Sequence, residues 1–237
     1  MLIHRPWAGG TVALLVFHGL GVSLDTKVKH LLEKALTKVD EVETRGPRLM
    51  DDAQRLWCRA QSLLDLKLLS ENVDLPPLEL ACYALQLPLR HVKLLPTGKM
   101  GRTNLHDRAE QAAEMFVGLM EDRIDESLLD RATRILHEVP NRAPSLDEAK
   151  LLADAVNLED FGMTGILLQT IQLSRAGSGA TQVGAGLEKR EQYGYWDARL
   201  KEGFHFEPVR QIARRRLENT RKAAALLLQE MKEDRLP

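Results

Sequence analysis

Asp154 is a carboxylate in a run with almost no polar face, flanked by Leu151, Leu152, Ala153, Ala155, Val156 and Leu158. A helix of that composition is expected to be buried on several sides, where an ionised carboxylate without a partner costs several kcal/mol. The groups that relieve such a cost are a cation, a histidine or a metal ion. A second reading of the same spacing places Lys150 one turn back, paired with Asp154 on a solvated edge and worth only about 0.3–0.5 kcal/mol. The sequence leaves both open. The helix that must position Asp154 has recognisable ends. Pro144 and the capping-box pattern Ser145-x-x-Glu148 start it, and Gly162 offers a left-handed stop after Phe161.

Other groups that could do chemistry are scattered. His106 and Asp107 open a helix running from about His106 to Met120, where Asp107-x-x-Glu110 is an adequate N-terminal cap, so capping competes with ligation for Asp107. His137 falls in the last turn of a helix from Ser127 to Val139, a place where a lone histidine complements the helix dipole. Cys58 and Cys82 lie in apolar helical patterns and form no close-spaced pair; they read as reduced core residues of a cytoplasmic protein rather than as a zinc or disulfide site. The Gly/Ser/Ala-rich stretch from Arg175 to Gly186 lacks a preceding strand and a Gly-Lys-Ser/Thr ending, so residues 176–186 are expected to form a mobile surface loop, not a phosphate cradle.

Composition bounds the alternatives. The chain has 237 residues, enough for one large domain with a proper core. Aromatics are only 5 % while Leu, Ala, Glu, Lys and Arg abound, which favours helices over sheets. With 33 basic and 34 acidic side chains, net charge gives no pull toward a polyanion. A nucleic-acid-associated protein would use Arg90, His91, Lys93, Lys99 and Arg102 together with Arg210, Arg214, Arg215, Arg216, Arg221 and Lys222. Glu218 and Glu230 interrupt the second group, however, as they would on a solvated helix face. Met1 to Gly21 holds an apolar run from Thr11 to Phe17, far short of the ~20 residues that span a bilayer, and residues 1–23 are expected to form an irregular leader.

Helical periodicity recurs from Leu24 onward. Val28, Leu31, Leu32, Ala35, Leu36 and Val39 mark a first amphipathic helix from Leu24 to Val42; Leu49, Met50, Ala53, Leu56, Trp57, Ala60, Leu63 and Leu64 mark a second. Pro76-Pro77 introduces an apolar helix ending near Pro88, and Leu89 to Thr103 reads as a loop. Nothing alternates like a strand.

The run Glu148-Ala-Lys-Leu-Leu-Ala-Asp154-Ala-Val156-Asn-Leu158-Glu-Asp-Phe-Gly162-Met-Thr-Gly165-Ile166 resembles the last signature of the HD-domain metal-dependent phosphohydrolases, E-A-K-x-x-x-D-A-D-x-L-D-x-x-G-x-x-G-I. The resemblance runs from about Met50 to the C-terminus and is strongest from Asp154 to Gly165. It implies that Asp154 stands at a metal-liganding Asp, with Val156 in place of the second Asp. Asp52-Ala-Gln-Arg55-Leu56 is similar to the family's H-x-x-R-V, so Asp52 occupies the place of the first liganding His. Leu78-Glu-Leu-Ala-Cys-Tyr-Ala-Leu85-Gln86-Leu-Pro88 resembles L-E-L-A-A-L-L-H-D-I-G, which puts Leu85 and Gln86 where the adjacent His and Asp would be. His106 and His137 match accessory histidines found in branches of the family.

What the resemblance implies is an all-α, single HD-like helical bundle over residues 24–237, closed by a long C-terminal helix. With the His-Asp dyad replaced, it implies a catalytically inactive binding or scaffolding module without a cofactor. Its partner would be a small phosphorylated ligand or another protein, with nucleic acid and membrane disfavoured. Arg55 and Arg59 are the nearest candidates to bind phosphate or to pair with Asp154. The alternative is a metal-dependent phosphohydrolase with a rebuilt site of Asp154, His106 and His137, holding manganese, magnesium, iron or nickel. On either reading Leu85 and Gln86 are expected to pack beside Asp52 and Asp154.

Overall fold

The computed structural model describes residues 24–37, 48–66, 73–90, 104–175 and 177–233. The expected leader, the continuation of the first helix to Val42, and residues 91–103 of the expected loop lie outside them. Among the described residues the chain is all-α, with no strand. Helices α1 (Thr26–Thr37), α2 (Arg48–Leu64), α3 (Leu75–Ala84), α4 (Leu105–Met120), α5 (Glu126–Glu138) and α6 (Asp147–Asn157) form a first group. Helices α7 (Met163–Arg175), α8 (Ala180–Gln192), α9 (Tyr195–Glu202) and α10 (Glu207–Glu233) follow. Short 3-10 turns, Leu87–Arg90 and Leu158–Asp160, succeed α3 and α6.

Helix α3 is the innermost. Asp74 precedes it and prolines occupy its first turn, where their missing N–H groups cost nothing. From Pro77 to Ala84 every side chain is buried, so the helix needs neighbours on all sides. It packs against α2 and α5, with α4 and α6 beside it; α4 also lies along α5, and α2 along α6. Helix α10 packs on α7, α8 and α9, burying the stripe Val209, Ala213, Leu217, Thr220 and Ala224.

Several local expectations are corrected. The Ser145-x-x-Glu148 box does not form. Ser145 instead donates its amide and hydroxyl to the Glu138 carboxylate, which also takes the Leu146 amide and so joins the end of α5 to the start of α6. Burial alone would raise the Glu138 carboxyl, but these donors hold it below its ordinary value. Glu148 turns inward: it is buried, accepts both its oxygens' bonds from Arg131 Nη2 at 2.9 and 3.0 Å, and accepts the Asp74 amide at 3.0 Å. One side chain thus fixes α6 against α5 and the start of α3. The helix itself ends at Asn157, not Phe161, because the chain tightens into the Leu158–Asp160 turn. At the start of α4 the cap is Asn104, whose side chain accepts the Asp107 amide; the Asp107 carboxylate does not cap.

The expected Gly-rich loop is mostly helix. Among the described residues of this stretch only 177–179 are open, and α8 begins at Ala180. A Cβ on Gly184 would lie 2.9 Å from Met231 Cε and 3.0 Å from its Sδ, so the absent side chain lets α10 approach α8 closely. Tertiary packing outweighs the ~1 kcal/mol by which glycine disfavours helix. Leu89 and Arg90, expected in a loop, belong to the first 3-10 turn. Cys82 is buried as expected, but Cys58 is exposed.

Gly162 and Gly165 answer to geometry. Gly162 has φ +87°, a left-handed conformation that side chains resist, and its carbonyl takes the Gly165 and Ile166 amides that open α7. A Cβ on Gly165 would stand 2.6 Å from the Asp160 carbonyl oxygen, a backbone atom that cannot move aside. Gly118, inside α4, has nothing within 4 Å of a built Cβ. Gly165→Ala is therefore expected to destabilise the protein by about 1–3 kcal/mol, and Gly118→Ala to stabilise it by about 0.5–1 kcal/mol. Urea denaturation of the two variants checks both signs; equal effects would contradict the close approach at Gly165.

Candidate functional site

Helix α6 carries Asp154 to its buried side, where the side chain has no solvent exposure. Its partner is neither a cation nor a histidine ring. Oδ1 accepts the backbone amide of His205 at 2.8 Å and Oδ2 that of Phe206 at 3.1 Å, immediately before α10. The open start of a helix presents amides with a favourable field for negative charge, and Asp154 meets that field from a different helix. Burial pushes its carboxyl up to about 7, against the two amides and the nearby Arg210 charge, which pull it down. The expected Lys150–Asp154 pair is not formed: Lys150 reaches Asp147 at 2.8 Å.

The same corner is sealed by further contacts. Arg210 Nη2 donates to the Phe204 carbonyl at 2.7 Å, and the Phe204 ring packs on Phe161 with centroids 5.5 Å apart. Asn157 donates to the Gly203 carbonyl and accepts from Arg199. Arg199 also meets Asp160 at 3.2 Å, and the Tyr195 hydroxyl donates to the same carboxylate at 3.0 Å. The segment between α9 and α10 is thus tied, residue by residue, to the C-terminal half of α6 and the turn that follows.

The remaining candidates are dispersed. His106 is 59 % exposed and His137 is exposed, while Asp154 is sealed; the three do not come within ligating distance of one another. The His106–His137–Asp154 site is therefore not assembled. Among the described residues the only three metal-capable groups that converge are His106, Asp107 and Glu110, all exposed on the first two turns of α4. Asp52 pairs with Arg55 at 2.8 Å. Leu85 is wholly buried in the apolar core, and its carbonyl accepts from Arg108 Nε at 2.8 Å. Gln86 is buried as well, its carbonyl accepting the Leu89 amide. A divalent ion of the kind the resemblance implies does not fit this set. Leu85 offers no lone pair, and both Asp154 oxygens are already engaged by amides in a closed corner.

The arginines of α2 do turn toward α6, but the carboxylate they meet is not Asp154. Arg59 Nη1 donates to the Ala155 carbonyl at 3.0 Å and lies 3.0 Å from Glu159 Oε1; Arg55 lies 3.6 Å from the same oxygen. Arg216, from α10, stands close enough to Arg59 that the two cations oppose one another. Burial first and Arg59 second lower its proton affinity. Glu159 and Arg216 were not singled out by sequence as a unit. The signal existed for Arg216, since it lies between Ala213 and Thr220 on the buried stripe of α10 rather than on its solvated face.

Comparison of the chain with protein-family models, with curated proteins and with solved structures finds no match.

The position of Asp154 sets a pH dependence. Its folded carboxyl titrates near 7 against 3.8 for the free group. The folded state therefore keeps a proton that the unfolded chain releases. The resulting stabilisation is full below about pH 4 and is lost as pH climbs to about 7, amounting to roughly 4 kcal/mol. His205, lowered by burial and by Lys150 and Arg210, acts in the opposite sense, favouring the fold as pH rises. The difference between wild type and Asp154→Asn isolates the carboxylate. Denaturation at pH 5 and pH 8 is expected to show that difference shrinking at the higher pH, and a difference independent of pH would refute the assignment.

Proposed function

We propose that this chain is a non-hydrolytic binding module built on an HD-like helical plan, in which the position of a metal ligand has become a structural clamp. The observation that carries the reading is the engagement of both Asp154 oxygens by the His205 and Phe206 amides inside a closed corner. Activation of water by a divalent ion needs ligands that converge on an open coordination position. Leu85 and the dispersed histidines supply no such convergence. Binding is supported by the junction of α2 with the Leu158–Asp160 turn, where Arg55, Arg59 and Glu159 lie partly buried at the edge of the core. Its partner belongs to the class of small anionic ligands. No helix of the described residues is long and apolar enough to cross a membrane.

The test is turnover. Purified protein incubated with manganese and a panel of phosphomonoesters and nucleotides is expected to release no phosphate above the protein-free rate, and no metal should co-purify in stoichiometric amount. Manganese-dependent turnover that is abolished by chelation would overturn the reading.

A further inference from the structure

Helix α7 turns a polar group inward and apolar groups outward. Its inner side carries Gln169, only 9 % exposed, whose Oε1 is buried without a hydrogen-bond partner. Its outer side carries Met163 and Leu167 at 60 % and 59 % exposure. At about 100° per residue, positions 163, 167 and 171 share one face and positions 165 and 169 lie nearly opposite. Five large hydrophobic side chains are exposed among the described residues, and two of them stand here one turn apart; Leu66, Tyr193 and Leu226 each come from a different part of the chain. The inner side is fixed by close approach. A Cβ on Gly165 would meet the Asp160 carbonyl at 2.6 Å, and the Gln169 amide lies over Gly186. Rolling the helix to bury Met163 and Leu167 would press a larger residue against that carbonyl, so the chain cannot cover this face by turning α7.

The pattern on the face indicates what does cover it. No residue from Met163 to Ser174 is charged, in a chain where 28 % are. The acids just before the helix are matched within the chain, Glu159 by Arg59 at 3.0 Å and Asp160 by Arg199 at 3.2 Å. A lipid surface would call for Lys or Arg flanking the apolar stripe, and a charged partner for complementary charge. The stripe supplies neither. It is instead nearly symmetric about Leu167: Met163 and Ile171 stand four residues to either side, Thr164 and Thr170 three. A two-fold contact requires a patch that complements itself, and any charge beside the axis would meet its own copy. A charge-free stripe that reads alike in both directions meets both demands. The antiparallel arrangement also sets the start of each helix against the end of the other, where their fields attract.

We propose that the exposed face of α7 is the contact through which two copies of this chain form a dimer, α7 packing antiparallel on α7 of the second copy. Leu167 of each copy lies beside the two-fold axis, and Met163 of one copy packs against Ile171 of the other. The patch is one helix wide, so the dimer belongs to the small, reversible class of interfaces and dissociates in the micromolar range. The contact is separate from the anion-binding reading, and either can stand without the other.

Sedimentation equilibrium of the full chain, from low to high micromolar concentration, is expected to show reversible dimerisation. Leu167→Glu and Leu167→Lys each place like charges beside the axis and should weaken the dimer at least about a hundredfold. Both substitutions fall at an exposed helical position, so the helical circular dichroism and melting temperature are expected to stay close to those of wild type. An equal mixture of the two variants should dimerise again, because Glu of one copy then meets Lys of the other; a merely structural role for Leu167 would give no such rescue. The register is read in the same way: Met163→Glu should pair with Ile171→Lys more tightly than either variant pairs with itself. A wild-type chain that stays monomeric at every concentration overturns the proposal, as does a dimer indifferent to both Leu167 variants. Failure of the mixture to restore association, or loss of the dimer on Leu226→Glu but not on Leu167→Glu, overturns the assignment to α7.

Discussion

The architecture depends on one carboxylate meeting two backbone amides. Without Asp154, the His205 and Phe206 N–H groups would face a closed apolar corner, each unsatisfied donor costing about 1–3 kcal/mol. Without the amides, Asp154 would be a buried charge alone. Each thus makes the other tolerable, and together they set where α10 begins. The rest of the corner follows from that placement. Once α10 starts there, Arg210 reaches back to the Phe204 carbonyl, and Thr220 meets Gly162. The Arg216 stem then lies across Gly162.

The contrast between Asp154 and Glu148 shows how one helix uses two buried acids. Glu148 is matched by an arginine and one amide. Asp154 is matched by amides alone, with Arg210 acting at a distance. A guanidinium stabilises the ionised form strongly, whereas amides offset only part of the desolvation. This is why burial dominates at Asp154 and its carboxyl titrates far above the usual range. The same helix therefore holds one acid matched by an arginine and one that answers to pH.

Much of the helical frame was legible in the sequence because burial writes itself into periodicity. The stripes through Leu56, Phe116 and Ile135 all fall on buried faces, and Gly162 takes the left-handed conformation expected of it. What could not be read is the identity of partners that leave no side-chain pattern. No spacing records that the Asp154 carboxylate will meet the backbone of residues 205 and 206. The Ser145 box failed for a related reason: a nearby carboxylate, Glu138, took the donors that the local motif would have used. At Gly184 composition pointed to a loop, while the close packing of Met231 required a small residue within a helix. Local rules yield where a distant contact is worth more. Asp154, which the resemblance singled out as a metal ligand, meets two backbone amides instead.

The clamp at Asp154 also orders events in time. Its donors lie 51 and 52 residues further along the chain, so at ~5–20 residues per second they emerge from the ribosome roughly 3–10 s after the carboxylate. During that interval α6 can gather against α2, α3 and α5, but its acid must stay wetted, and the corner around it open. Closure waits for the arrival of α10, after the entropic cost of joining so long a loop has been met. The environment of Asp154 on α6 is therefore completed only when the start of α10 is present.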